Sequence, residues 1–211
     1  MARSSGQRLL AHDRRLGVRF VAGADEAGRG SLAGPLVVAG VLLDYETLRG
    51  ARVRPLAVLN DSKQVAPDDR EVLFHAVAGC ASGISVRIVS VREIDHSGLH
   101  RSNLAALRAV LSDLRPPAEA CLVDGFRLGA SAPPHEALVD GDARSAAIAA
   151  ASIIAKVVRD RVMRRLDALY PRYGFFSHVG YITEAHSEAV RAFGPSDLHR
   201  RSFQAACYEA A

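Results

Sequence analysis

Val21-Ala22-Gly23-Ala24-Asp25-Glu26-Ala27-Gly28-Arg29-Gly30 runs from a short apolar segment into two adjacent carboxylates and then a Gly-Arg-Gly turn. A second apolar run, Pro35 to Leu43, follows almost at once. Two ionised carboxylates where a strand leaves a core repel each other and resist burial unless something positive sits between them. A divalent ion would serve, and oxygen-only ligands with no Cys or His beside them favour a hard one, Mg²⁺ or Mn²⁺. The glycines let the backbone come close to a ligand, and Arg29 carries a fixed charge between them. A helix-capping Asp-Glu pair before an ordinary glycine turn fits the same ten residues, so the decision lies further along the chain.

Working outward, Phe20 to Ala24 reads as a strand and Pro35 to Leu43 as a second, buried one. Residues 1–18 form a basic N-terminal arm, loose or a short helix, with Leu9, Leu10 and Leu16 able to dock on the body. Asn60-Asp61-Ser62-Lys63 sits in a polar loop, and Pro67-Asp68-Asp69 starts a helix that runs to about Ala78. Ile84 to Val91 alternates as a half-exposed strand should. Leu104, Leu107, Val110, Leu111 and Leu114 recur at helical spacing before Pro116-Pro117 closes the helix. Ala120-Cys121-Leu122-Val123 is a short strand leading into Asp124-Gly125, and Ala137-Leu138-Val139 repeats the pattern before Asp140-Gly141-Asp142. Ser145 to Leu169 is a long alanine-rich helix carrying Lys156, Arg159, Arg161, Arg164 and Arg165 as its charge. Strands early, with helices between and after them, indicate an α/β fold. The expected units are an N-terminal arm (1–18), a catalytic domain (19–170) and a C-terminal helical segment (171–211) that completes the substrate site.

The chain has 211 residues, enough for one domain with a sizeable core. Its 27 basic residues exceed its 23 acidic ones, a net charge of +4 that suits a polyanionic partner without requiring one. Three scattered cysteines, Cys80, Cys121 and Cys207, provide neither a disulfide framework nor a zinc spacing. The Arg-rich N-terminus lacks the apolar core of a signal peptide, and no apolar run approaches a membrane span. A cytoplasmic protein without membrane contact is expected.

An apolar strand ending in Asp occurs three times, so Asp25-Glu26, Asp124 and Asp142 should gather at one end of a sheet. A single carboxylate at a strand end is usually a cap or a turn residue. Four carboxylates without histidine are better explained as a two-metal site, in which ions about 4 Å apart flank a phosphate. Arg29, Lys63, Ser152 and Lys156 are suited to phosphates, though each taken singly reads as a solvated surface residue. Tyr181 could stack on a sugar or base.

With these motifs in hand, the chain resembles ribonuclease HII, the type 2 ribonuclease H family. The resemblance covers nearly everything from Phe20 to Phe203. Its carriers are Asp25-Glu26-Ala27-Gly28-Arg29-Gly30, Asp61-Ser62-Lys63, Val123-Asp124-Gly125, Gly141-Asp142, Ala149 to Lys156, Tyr173-Gly174-Phe175, Gly180-Tyr181 and His199-Arg200-Arg201-Ser202-Phe203. It implies a ribonuclease H-like mixed sheet flanked by helices, with a small helical C-terminal extension. It also implies a monomer that hydrolyses RNA in RNA–DNA hybrids, and cuts at single ribonucleotides in duplex DNA, using Mn²⁺ or Mg²⁺. The family's four acidic ligands fall on Asp25, Glu26, Asp124 and Asp142. Its 2′-hydroxyl-sensing turn falls on Gly28, Arg29 and Gly30, and its junction tyrosine on Tyr181.

Departures from the family pattern are Ser31 for Pro, Asp140 for Lys, Val158 for Thr, and Val179 and Ile182 for Lys and Gly around Tyr181. Asp140 would add negative charge beside the site. The expected activity is an endonuclease cutting 5′ of a ribonucleotide to leave 3′-hydroxyl and 5′-phosphate ends. The alternatives are a non-catalytic hybrid-binding module and another two-metal nuclease of similar fold, which should not need Gly-Arg-Gly. Asp160, on the long helix with Lys156 one turn earlier, competes with Asp142 as fourth ligand but suits a structural ion pair.

Overall fold

In the computed structural model, which describes residues 4–59 and 65–209, five strands among those residues form one mixed sheet in the order β3-β2-β1-β4-β5. β1 (Phe20–Ala27) is central, antiparallel to β2 (Leu36–Asp44) and parallel to β4 (Ala120–Asp124). β3 (Gly83–Val89) continues the sheet antiparallel to β2, and β5 (His135–Leu138) continues it parallel to β4. Because β1, β4 and β5 run the same way, their C-terminal ends share one edge of the sheet, where their acidic residues must collect. Every residue of β2 is buried, as its unbroken apolar run requires of a strand covered on both faces.

The helices are α1 (Ser5–Arg14), α2 (Pro67–Cys80), α3 (Val91–Ser97), α4 (Leu99–Asp113), α5 (Ala146–Asp167), α6 (Phe175–His178) and α7 (Glu184–Phe193). The alternation around Ile84 predicts a strand through Val91. The strand stops at Val89 because the Ser90 hydroxyl accepts the Glu93 N–H and turns the chain into α3. Ser145 caps α5 in the same way, through the Ile148 N–H.

Side chains alternate across the sheet. Val21, Val41, Leu43 and Leu122 face α5, while Ala22, Ala24, Leu42 and Val123 face the opposite layer with Leu107 and Val110 of α4. The alanines of α5 allow its backbone to lie almost against β1. A Cβ built on Gly23 would come within 2.1 Å of the Ala147 carbonyl carbon. On the same side, α1 docks through Leu9, Leu10 and the fully buried Asp13. Asp13 accepts the Tyr45 hydroxyl at 2.9 Å and the Ala147 N–H at 2.9 Å. Desolvation raises its pKa, and these bonds offset part of that cost.

The C-terminal segment forms a third apolar cluster. Tyr173, Phe175, Val179 and Val190 pack with Met163 of α5 and with Leu32 and Ala33 from the loop after β1. That loop is therefore built between the sheet and the last forty residues or so of the chain. Among the described residues, no helix is long and apolar enough to cross a membrane.

The close contact between β1 and α5 yields a direct test. Gly23→Ala should destabilise the protein by roughly 3 kcal/mol, since the new methyl meets helix backbone and not a movable side chain. An unchanged urea midpoint would mean that α5 does not sit this close to the sheet.

Candidate active site

Ala24 pairs with Val123, so Asp25 and Asp124 are neighbours on adjacent parallel strands. By alternation both project toward the α5 side, as Val21 and Leu122 do. Asp25 is 6% exposed and accepts a 2.7 Å bond from the Glu26 N–H. It is also bonded to the Ser152 side chain on α5. Burial, and then the charges of Glu26 and Asp124, push its pKa well above the ordinary 3.8, while the Ser152 and Glu26 bonds pull the other way.

Asp124 Oδ1 accepts the Gly141 N–H at 2.7 Å, which fixes the turn that carries Asp142. There is no space for a side chain at Gly141, where a Cβ would lie 2.6 Å from Ile148 Cδ1. Asp142 does not end a strand. β5 stops at Leu138, and Asp142 lies buried in a short 3-10 turn, Gly141–Ala143, before α5. Asp140, just ahead of it, adopts a left-handed conformation that Asp tolerates, and its side chain is exposed.

A cavity of about 260 Å³ brings together Asp25, Glu26, Ala27, Gly28, Arg29, Gly30, Asp124, Ser152, Lys156 and Tyr181. Thus most of the residues singled out in the sequence share one wall. Asp142 is not among the lining residues, and Lys63 lies outside the described residues. Asp160 is held by Lys156 at 2.8 Å and Arg70 at 3.2 Å, the ion pair expected of it. Lys156 also lies over the Tyr181 ring, 5.0 Å from its centroid. Arg29 lies 4.5 Å over the Phe126 ring and 3.9 Å from Glu26.

The Gly-Arg-Gly loop is held from beneath by two guanidinium groups that read from sequence as surface charge or as part of a motif without a role. Arg159 and Arg200 are both fully buried. Arg159 donates to the carbonyls of Ala33, Pro35 and Val179 at 2.8 to 3.1 Å. Arg200 donates to the carbonyls of Arg29 and Gly34 at 3.0 Å. Burial, followed by repulsion from Arg159, lowers the Arg200 pKa to about 9. Gly28 is the position that requires glycine, because its φ is +88° and a Cβ would overlap the Arg159 side chain. Gly30 faces open space, so what it leaves room for lies outside the protein.

Among the described residues, no three His, Cys, Asp or Glu side chains already stand in a metal-holding arrangement. The donor set nonetheless fits a hard divalent ion. Asp25 is a buried carboxylate crowded by two others, all its candidate neighbours offer oxygen, and a cation among them would relieve their repulsion.

A central mixed sheet with acidic residues collected at one edge, and helices on both faces, defines an α/β enzyme of the ribonuclease H-like class. Comparison with known proteins agrees. A family profile described as Ribonuclease HII matches residues 22–206. A Ribonuclease HII of Geobacillus kaustophilus is 45% identical over 200 residues, spanning 93% of this chain and 74% of the relative. One from Salinispora tropica is 47% identical over 189 residues, spanning 90% and 68%. Among solved structures, the ribonuclease H2 of Pyrococcus horikoshii OT3 superposes with a TM-score of 0.75 at 28% identity, covering 90% of this chain and 95% of that one. Bst-RNase HIII, determined in complex with Mn²⁺, shares the fold with a TM-score of 0.70 at 21% identity, covering 94% and 71%. The chain belongs to the ribonuclease HII family, endonucleases that degrade RNA in RNA–DNA hybrids.

The crowded carboxylates carry a stability cost. Because the folded-state pKa of Asp25 lies above its unfolded value, stability falls as pH rises from about 4 through the folded value and Asp25 ionises. Metal-free Asp25→Asn should therefore melt above the metal-free wild type at pH 7.5, by about 2 °C or more. A lower midpoint would show that the carboxylate is well compensated without an ion.

Proposed function

We propose that this endonuclease holds two divalent ions, Mn²⁺ or Mg²⁺, on Asp25, Glu26, Asp124 and Asp142. In this reading it hydrolyses the phosphodiester on the 5′ side of a ribonucleotide, in hybrids and at single ribonucleotides in duplex DNA, leaving 3′-hydroxyl and 5′-phosphate ends. When bound, the ions supply activation of water and charge stabilisation at the leaving oxygen. The observation that carries the reading is the wall shared by the buried Asp25 with Glu26 and Asp124, the Gly28–Gly30 turn and Tyr181.

The protein's own residues divide the remaining work. Ser152 orients Asp25, and the Gly141 N–H orients Asp124. Arg29 and Lys156 offer positive charge to the phosphates beside the cut, and Lys63 is assigned the same task from its sequence motif. The 2′-hydroxyl, both donor and acceptor, distinguishes ribose from deoxyribose. Backbone groups of the Gly28–Gly30 turn are suited to bond it, because the turn lines the cavity and Gly30 faces open space. Tyr181 packs against the next sugar, and a deoxyribose leaves room where a 2′-oxygen would not. The recognised junction is thus a ribose on the glycine turn followed by a deoxyribose on the tyrosine.

Asp25→Asn and Asp124→Asn should each lower kcat by about a thousandfold or more while hybrid affinity changes little, because activation of water is lost and duplex contacts are kept. Asp142→Ala should do likewise and Asp160→Ala should not. Near-full turnover by the Asp25 or Asp124 variant, or by wild type in excess EDTA, would overturn the metal assignment.

Tyr181→Ala should lose at least about tenfold more activity on a single embedded ribonucleotide than on a continuous RNA strand. Cleavage rates on matched duplexes measure this, and equal losses on both would leave the tyrosine as a packing residue only.

A further inference from the structure

Three histidines stand behind Tyr181, outside the cavity. His186 and His199 are buried, at 0% and 1% exposure, and His178 stacks on His186 with ring centroids 4.3 Å apart. Their hydrogen bonds admit one proton arrangement. The Tyr181 carbonyl only accepts, so His186 Nδ1, at 2.9 Å, carries its hydrogen and Nε2 is bare. The Ser196 N–H donates to His199 Nδ1 at 3.0 Å, so the His199 hydrogen is on Nε2. That Nε2–H then donates to the bare His186 Nε2 at 3.0 Å. On the other side, His178 Nε2–H donates to the Tyr173 carbonyl at 2.7 Å, and its Nδ1 accepts the Gly180 N–H at 3.2 Å.

The chain of bonds therefore runs from Ser196 through two neutral imidazoles to the Tyr181 carbonyl. The Gly180 N–H is held by a third imidazole, and the Tyr181 N–H donates to the His178 carbonyl at 2.9 Å. Both peptide groups of Gly180-Tyr181 are fixed in this way, and Gly180 leaves no slack, since a Cβ there would lie 2.4 Å from the Ala33 carbonyl oxygen. The tyrosine ring is flanked by cations, Lys156 at 5.0 Å and the Arg159 guanidinium at 5.2 Å from its centroid, and packs against the apolar cluster of the C-terminal segment. The fixed backbone sets where the ring starts from.

We propose that His186 and His199 are positioning residues for Tyr181, a neutral imidazole relay that sets where the ring meets the substrate and so tunes selectivity for a lone ribonucleotide over continuous RNA. This rests on the junction-reading role assigned to Tyr181 above. The relay exists only while uncharged, because a proton on His186 Nε2 would set N–H against N–H, and one on His199 Nδ1 would break the Ser196 N–H bond and leave the Ser196 hydroxyl, at 2.9 Å, to accept it. The groups facing the pair favour the neutral form. Tyr173, Phe175 and Tyr208 present rings to it, His178 stacks on His186, and Arg201 adds positive charge near His199. Burial first lowers both pKa values to about 4, against the opposing pull of the bonds to the Tyr181 carbonyl and to Ser196, so the relay is intact throughout the neutral range.

The test pairs His186→Leu, which removes the donor to the Tyr181 carbonyl, with His186→Asn, whose amide N–H restores a donor near the Nδ1 position. We expect His186→Leu to stay within about threefold of wild type on a continuous hybrid, to lose about tenfold or more in kcat on a single embedded ribonucleotide, and to be largely rescued in His186→Asn. Equal losses on both substrates, no loss on either, or no rescue would overturn the relay. Tyr181→Ala measured alongside separates the two claims. If it is substrate-selective and His186→Leu is not, the relay fails and the junction reading stands; if it is not selective, the junction reading fails and takes the relay with it. A second measurement does not depend on a variant folding. Imidazole ¹⁵N shifts of the wild type should show Nδ1–H on His186 and Nε2–H on His178 and His199, with His186 and His199 not titrating from pH 8 to pH 6. Any other tautomer, or titration of that pair in this range, would overturn the proposal.

Discussion

Two buried guanidinium groups decide how this molecule holds its substrate turn. A loop that leaves a strand, exposes glycine backbone and returns to the sheet within a few residues has carbonyls that helix and strand ladders do not satisfy. Arg159 and Arg200 reach four of those carbonyls, at Arg29, Ala33, Gly34 and Pro35, from inside the protein. The planar fork of arginine suits this task in a way that a lysine ammonium would not, because several donors leave one rigid group in different directions. Arg159 also takes the Val179 carbonyl, so the segment before Tyr181 is held by the same group as the loop before β2. Both walls of the cavity thus share one scaffold.

This scaffold also shapes the electrostatics. Desolvated cations resist burial unless oxygen dipoles surround them, and the loop carbonyls provide most of that shell, leaving Arg200 Nη2 without a hydrogen-bond partner among the described residues. The result is positive charge behind the glycine turn, opposite a group of carboxylates in which burial disfavours ionisation of Asp25. Opposite charges held apart by a rigid framework suit a polyanionic substrate approaching acidic residues that would otherwise repel it. Val179 shows that the framework imposes strain, since a β-branched residue there adopts φ 43° while its carbonyl is held by Arg159. Ser31 is a second cost: its buried hydroxyl has no hydrogen-bond partner among the described residues.

The layering explains why function is concentrated at one edge. Parallel β1 and β4 put Asp25 beside Asp124, and the close approach of α5 at Gly23 brings Ser152 to Asp25. The Asp124–Gly141 bond ties the chain between β5 and α5 to the same edge. The Ser152–Asp25 contact depends on the alanine-rich face of α5. Larger side chains there would lift the helix away and separate the hydroxyl from the carboxylate it orients.

Much of this was legible in the residues themselves. Apolar runs and helical spacing located β1, β2, α4 and α5, since a strand covered on both faces must be apolar throughout and a helix repeats its apolar positions every three to four residues. Charge chemistry singled out Asp25, Glu26 and Asp124, because adjacent carboxylates at a buried strand end are costly without a partner. The Ser90-x-x-Glu93 cap of α3 was equally local but was hidden by the alternation that precedes it. Other features are not local at all. Nothing in the helical period distinguishes the buried Arg159 from the partly exposed Arg161 two residues on, and nothing around Asp13 announces that it will accept the Ala147 N–H across the fold. The histidine relay joins residues 13 apart in sequence that share no pattern. Sequence by itself determined the elements and the acidic chemistry, because periodicity and charge repulsion act over neighbouring residues. Only the tertiary structure decided which polar groups are buried and what they hold, because burial is a property of what the rest of the chain packs against them.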